Sequence, residues 1–241
     1  MTEKAYRTLQ ALTIGLFGFF LLVKVWDGRV LLYINQRFII LVLGAALFML
    51  LLSQVVFGER ERLNSIKGKD HHGIFRLWVI ALPLILGLVI PERPLGATAL
   101  PNRGINTSSG LSIAQVDTFK VLDISPEQRS ILDWIRIFSS STDSQLYLDQ
   151  KVDVTGFVYH APNQPEDEFY VSRFAITCCV ADASAVGIVV SWKEAAALPS
   201  NRWVRVRGIM RALRANNQVA PKIEATLVEF VPEPEQPYLF P

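Results

Sequence analysis

Apolar positions follow two rhythms along this chain. Up to residue 90 they come as long unbroken runs; from residue 151 they alternate with polar positions. An unbroken run marks a helix that is apolar all round, and alternation marks a half-buried strand. Residues 9–26, LQALTIGLFGFFLLVKVW, form the first run. Lys24 and Trp26 at its end suit a membrane interface, the first by snorkelling and the second by its amphipathic ring. The second run, Phe38 to Phe57, carries no charge over twenty residues. At ~1.5 Å per residue it reaches roughly 30 Å, the hydrocarbon thickness of a bilayer. The third, Ile74 to Ile90, has Arg76 near its start and Pro83 inside it. Proline is tolerated in a membrane helix whose neighbours satisfy the freed carbonyl. Residues 1–90 are therefore expected to form an α-helical membrane anchor of about three transmembrane helices.

The first run is too long for the apolar part of a signal peptide, and no small-x-small site follows it closely, so it reads as retained. Ala97-Thr98-Ala99 has the look of a cleavage site, but charge and proline separate it from the third run. Gly15, Gly18, Gly44, Ala45 and Ala46 are small enough for close helix contact. The three runs hold no Asp or Glu, so they make a poor ion pathway by themselves and a reasonable anchor or docking surface.

Residues 91–123 are rich in Pro, Gly, Ser, Thr and Asn and read as an extended linker. A short helix is expected next, with Ser125 as N-cap, Pro126 at the first helical position and Gln128 completing a capping box. Ile131, Trp134, Ile135 and Phe138 give it one apolar face. KVDVTGFVYH from Lys151 is a strand with Val152, Val154, Gly156 and Val158 on one face. EFYVSRFAITCCVA is one long strand or two joined at a bend. IVVSW, RWVRVRGIMR and KIEATLVEFV follow as strands, with a helical turn before the fourth. The proline-rich tail PEPEQPYLFP is expected to wrap the surface without regular pairing. Five short strands, with Gly156 where a wall would bend, predict an all-β OB-like barrel over residues 124–241; a two-sheet sandwich is the alternative.

Charge adds orientation. Up to Ala97 there are 11 Lys+Arg and 6 Asp+Glu, and from Thr98 onward 13 and 16, so the two parts carry +5 and −3. Lys4 and Arg7, with Arg60, Arg62, Lys67 and Lys69 of the second loop, outnumber Lys24, Arg29 and Arg37 of the first. The N-terminus and second loop are thus expected inside, and the C-terminal domain outside the cytoplasm, in a multi-pass protein of the cell inner (plasma) membrane. A net acidic outer domain excludes a nucleic-acid surface. His71-His72 reads as a solvated loop end, since two histidines make a weak metal signal.

The chemistry concentrates in RFAITCCVAD, which holds both cysteines of the chain. Read as a strand, it turns Cys178 into a core with Phe174, Ile176 and Val180, while Cys179 points away. Four readings stand: packing of a small apolar thiol, a soft metal site, a strained vicinal disulfide, and a bond to a partner. Cys178, Cys179, His160 and Asp182 are the candidate metal ligands, zinc being one soft ion they suit, although opposite faces argue against shared chelation. Arg173 is expected to pair with Asp182 or to cap an anionic ligand. Arg205, Arg207 and Arg211 share a face with Trp203, read as a solvated face that a headgroup or acidic loop could also meet. There is no Gly-rich phosphate loop, Ser-His-Asp arrangement or spaced carboxylate pair, so an enzyme is not expected.

Taken together, Pro91–Ala97 (Pro-x-x-Pro-Leu-Gly-Ala), Gly156-Phe157-Val158, Cys178-Cys179-x-Ala-Asp, Trp203-Val204-x-Val-x-Gly and Pro237-Tyr238 carry a resemblance over nearly the whole chain. The chain resembles the YcgQ-like family of bacterial permease subunits. The resemblance implies an accessory subunit paired with a separate multi-helix permease, and it supplies no catalytic residue. Cys178, Cys179, Asp182 and Arg173 are then the expected ligand or partner patch. The alternative is a stand-alone tethered metal-binding or thiol-redox protein using Cys178 and Cys179.

Overall fold

The computed structural model of the chain describes residues 3–62, 73–105, 124–140, 147–215 and 218–240. It forms two compact units, Met1–Arg93 and Pro94–Pro241. The His71-His72 pair and Lys67 and Lys69 lie outside the described residues.

The first unit holds α1 (Glu3–Trp26), α2 (Ile39–Arg62) and α3 (Gly73–Val89). Two stretches, Ala5–Trp26 and Gln36–Gly58, are long and apolar enough to cross a bilayer. The expected third is present as a helix, but its 17 residues reach only roughly 25 Å at ~1.5 Å per residue. α1 and α2 run antiparallel along a seam of small residues. Ser53 Oγ donates to the Ala11 carbonyl at 2.7 Å, and Ala11 and Ala46 are fully buried. A Cβ added at Gly18 would lie 2.9 Å from the Ala46 carbonyl oxygen, so only glycine lets the backbones approach there. A Cβ added at Gly44 would meet nothing within 4 Å among the described residues, so Gly44 takes no part in the seam, contrary to its expected role.

α3 runs back beside α1. Gly87 faces the Phe20 ring, and Glu92, just past the helix end, accepts from Lys24 and from Arg29 Nη1, the latter at 2.9 Å. Lys24 and Arg29 therefore carry a buried counter-charge. Leu16, Phe19, Ile40, Phe48, Trp78 and Leu88 are all more than half exposed, a surface that water would not support at this density.

In the second unit, Ala97–Ala99 and α4 (Leu100–Arg103) precede α5 (Ile131–Ser140) and the strands β1 (Lys151–Tyr159), β2 (Glu168–Ala175), β3 (Ser184–Ser191), β4 (Trp203–Ala215), β5 (Gln218–Phe230) and β6 (Tyr238–Leu239). β1 pairs with β4 and, at its far end, with β2; β2 pairs with β3, β3 runs parallel to β5, and β5 pairs with β4. The five strands thus close into a barrel in the order β1-β2-β3-β5-β4. Val152, Val154 and Val158 of β1 and Val204 and Val206 of β4 are buried in one interior cluster, as alternation predicts.

Two glycines permit the closure. β1 exchanges β4 for β2 near Phe157, and a Cβ on the adjacent Gly156 would sit 2.6 Å from the Ser172 carbonyl oxygen. At Gly208, where the β4–β5 register shifts, it would sit 2.2 Å from the Glu224 carbonyl oxygen. Bulges of this kind increase local twist and help a sheet curl.

The preceding helix differs from its expected start. Ser125 makes no side-chain cap, and Pro126–Gln128 is a single 3-10 turn. α5 begins at Ile131, where Ser130 and Asp133 cap each other: Ser130 N–H donates to Asp133 Oδ2 at 2.9 Å and Asp133 N–H to Ser130 Oγ at 3.2 Å. Ile131, Trp134, Ile135 and Phe138 enter the barrel core as expected. Burying each such side chain contributes about 1.5–3 kcal/mol. The helical turn expected before β4 is present as a 3-10 turn, Ala195–Ala197. The tail also departs from expectation, since β6 adds a parallel pairing to β2 at Phe174–Ala175.

Candidate functional site

β2 ends at Ala175, six residues earlier than the longest strand the sequence suggests. Ile176 N–H makes the last regular bond, to the Leu239 carbonyl at 2.9 Å, and the chain then leaves the sheet. Asp182 causes the departure. Its Oδ2 accepts from Cys178 N–H at 2.7 Å and its Oδ1 from Thr177 N–H at 3.2 Å, while Asp182 N–H donates to the Cys179 carbonyl at 3.0 Å. A short aspartate that satisfies its neighbours' amides competes directly with the sheet ladder. Val180–Asp182 closes the loop as a 3-10 turn before β3.

This overturns the placement of the cysteines on opposite strand faces. Cys178 is exposed, not packed in a core, and Cys179 is half-buried. Both are free, and their sulfurs lie 3.7 Å apart. The Asp182 carboxylate beside the Cys178 thiol, with Cys179 next to it, pushes that thiol up to about 11. Burial alone would raise the Asp182 carboxyl, but the Cys178 thiol and the loop amides outweigh it and hold the group below the usual range. At neutral pH the loop therefore presents the protonated Cys178 thiol against the Asp182 carboxylate.

Arg173 does not join that patch through Asp182. Its Nε donates to the Pro237 carbonyl at 3.1 Å, its Nη2 to the Gln236 carbonyl, and its guanidinium lies 5.7 Å from the centre of the Trp203 ring. Burial brings it down to about 10. Arg173 is thus a strap on the C-terminal tail, and the expected ion pair is replaced by carbonyl and ring contacts. Beneath it Phe157 stacks on Phe174 at 5.8 Å and meets Trp203 edge-on at 5.9 Å.

The loop is held from its other side by a residue that sequence reasoning did not single out. Arg103 Nη1 donates to the Ala183 carbonyl at 2.7 Å and, at 3.4 Å, to that of Ala181. The stretch before Arg103, expected to be part of a free linker, is packed: Leu95 N–H donates to the Tyr238 hydroxyl at 2.8 Å and Ala97 N–H to Asn201 Oδ1 at 2.7 Å. Leu100 is fully buried. The Pro-Leu-Gly-Ala and Pro-Tyr motifs thus meet in space beside β2, the strand that leads into the cysteine loop. Asn201, at φ +66°, is legible only as a turn residue after Pro199-Ser200.

His160 stands apart, its Nε2 2.9 Å from the Leu198 carbonyl oxygen. Among the described residues no three of His, Cys, Asp and Glu gather as a ligand set. The arginine face is ion-paired along the barrel wall. Arg205 grips both oxygens of Asp153 at 2.7 and 2.6 Å, Arg207 adds a bond at 3.1 Å, and Arg211 meets Glu224 at 2.9 Å and also Asp149. The solvated-face reading describes this wall better than an open anion site.

Residues 9–106 match the DUF1980 N-terminal domain, and residues 120–241 match the DUF1980 C-terminal domain. The chain belongs to the DUF1980 family. The "Putative two-component membrane permease complex subunit" of Streptococcus mutans serotype c is 22% identical over 251 residues, covering 89% of this chain and 92% of that protein. The "UPF0703 protein YcgQ" of Bacillus subtilis is 21% identical over 96 residues, 39% of this chain and 34% of that protein. The resemblance to YcgQ-like proteins is therefore borne out. The boundary between the DUF1980 domains, at residues 106–120, falls later than the structural division at Arg93–Pro94. The Pro-Leu-Gly-Ala segment counts with the N-terminal domain in sequence and with the barrel unit in space.

Proposed function

We propose that this DUF1980 protein is a membrane-anchored accessory subunit of a two-component permease, with its OB-like barrel outside the cytoplasm and its cysteine loop facing the permease. The observation that carries the reading is the near full-length likeness to the Streptococcus mutans "Putative two-component membrane permease complex subunit". The anchor supports it. If α1 and α2 cross, α3 crosses too, because Glu92 at its end pairs with Lys24 and Arg29 beside the end of α1. An odd number of crossings then puts the barrel opposite the N-terminus, the arrangement that the loop charges favour. The strand order β1-β2-β3-β5-β4 supports the OB-like assignment, which by itself assigns no function.

The loop is the contact of choice because its main chain is fixed while several of its residues are exposed. Thr177, Cys178, Ala181 and Asp182 are exposed, yet Asp182 and Arg103 pin the backbone between them. A preordered loop loses little entropy on docking.

Two measurements test the reading. Full-length tagged chain drawn from native membranes in mild detergent should bring a multi-helix membrane protein with it at constant ratio; elution alone would overturn the accessory role. For sidedness, Glu235→Cys in a Cys178→Ser/Cys179→Ser background should react with a membrane-impermeant maleimide in intact spheroplasts. Labelling only after lysis would place the barrel in the cytoplasm.

A further inference from the structure

We propose that Cys178 and Cys179 together form a two-thiolate site for a soft, low-coordinate metal ion, and that monovalent copper is the ion it fits. The inference rests on the reading of this loop as the surface that faces the permease and names what that surface would hold.

The geometry supplies the first argument. In a regular strand, adjacent side chains point apart, so neighbouring cysteines cannot share an ion. The loop removes that obstacle, leaving the sulfurs 3.7 Å apart on an exposed segment. With metal–sulfur bonds of ~2.3 Å, one ion reaches both sulfurs at a bent angle of roughly 105–110°. Rotation of the exposed Cys178 side chain opens that angle further without moving the backbone.

The donor set supplies the second argument. Zinc in a structural site takes four protein ligands, and in a catalytic site three. Among the described residues no third His, Cys, Asp or Glu completes such a set. Two thiolates alone suit a soft ion that tolerates few ligands, and thiolates select monovalent copper on that basis. Asp182 already accepts two amides of the loop, so it serves as the frame of the site and leaves coordination to sulfur. The exposed side of the ion stays open to a donor from a partner, which allows transfer by ligand exchange. Binding involves no electron transfer: two S–H groups release protons to solvent, two S–Cu bonds form, and the site carries one net negative charge. Arg103, fixed on the Ala181 and Ala183 carbonyls, supplies a positive charge on the same loop.

The test uses the full chain in mild detergent, reduced and anaerobic, titrated with monovalent copper held by a chromogenic chelator. The chain should withdraw one copper per molecule, with sulfur as the neighbour seen in X-ray absorption. Cys178→Ser/Cys179→Ser should withdraw none while keeping its thermal transition. As a control free of any folding defect, wild-type chain alkylated at both thiols after folding should also withdraw none. The proposal is overturned if wild type withdraws no copper, if the double variant or the alkylated chain withdraws as much, or if zinc binds one-to-one where copper does not. A chain that co-purifies with a permease but binds no copper would refute the metal site alone. One copper per chain in a protein that never meets a permease would keep the site and refute the accessory role.

Discussion

Replacing Asp182 by Asn should make the Cys178 thiol more reactive, because it removes the negative charge that disfavours the thiolate. The test is cleanest with Cys179→Ser as the parent, so that Cys178 is the lone thiol. Asp182 is the largest cause of the Cys178 thiol lying near 11 instead of its ordinary 9.0. At pH 8 a full return to 9.0 would raise the thiolate fraction about a hundredfold. A less basic thiolate is a weaker nucleophile, and a Brønsted slope of ~0.4–0.5 takes back roughly tenfold over two units. Full relief thus gives about tenfold. Cys179 also holds the thiol up, and its removal in the parent takes part of the shift, so Asp182→Asn should speed alkylation about three- to tenfold. Iodoacetamide labelling followed by mass spectrometry between pH 7 and 11 reads the rate directly, and its midpoint should move down in the variant. Unchanged or slower labelling at pH 8 would mean that Asp182 does not control the thiol.

Three further outcomes follow from the packing. Gly18→Val should disrupt the α1–α2 seam and lower the yield of inserted protein, whereas Gly44→Val, which meets nothing within 4 Å, should be recovered like wild type. Tyr238→Phe keeps the ring but removes the acceptor of Leu95 N–H, and should cost about 1 kcal/mol in the thermal unfolding of the full chain. Asp153→Asn should cost about 1 kcal/mol at pH 7, a modest figure because the Arg205 and Arg207 side chains are 43% exposed. The Asp153 carboxyl is held below its ordinary range by the Arg205 hydrogen bond, against its burial. Its contribution is therefore complete above the ordinary carboxyl range and lost as pH falls through the depressed value. The gap between wild type and Asp153→Asn should narrow below about pH 4 in a denaturant series.

What the sequence discloses depends on how local the cause is. Val152, Val154, Val204 and Val206 were legible because burial of every second residue writes itself directly into the pattern. Gly156 and Gly208 were legible as strand glycines, and the structure supplies the carbonyls that exclude a side chain. The end of β2 was not legible, because nothing in ITCCVAD lowers strand propensity enough; Asp182 and the returning tail at Leu239 end the strand through contacts that alternation cannot register. The same holds for Arg173. Asp182 lies nine residues on in the sequence, but the tail carbonyls of Gln236 and Pro237, over sixty residues away, take the guanidinium. The α5 start is not legible because Ser125-Pro126 carries a stronger cap signature than Ser130-x-x-Asp133, whose reciprocal bonds show only in three dimensions.

The most direct test of the accessory-subunit account is a photo-cross-linking amino acid at position 177, at the exposed start of the loop, followed in native membranes. The account predicts one dominant product, joined to a multi-helix membrane protein, and its loss when Asp182→Pro disrupts the loop while the chain stays inserted. Cross-links only to lipid or to soluble proteins, with the loop intact, would contradict it.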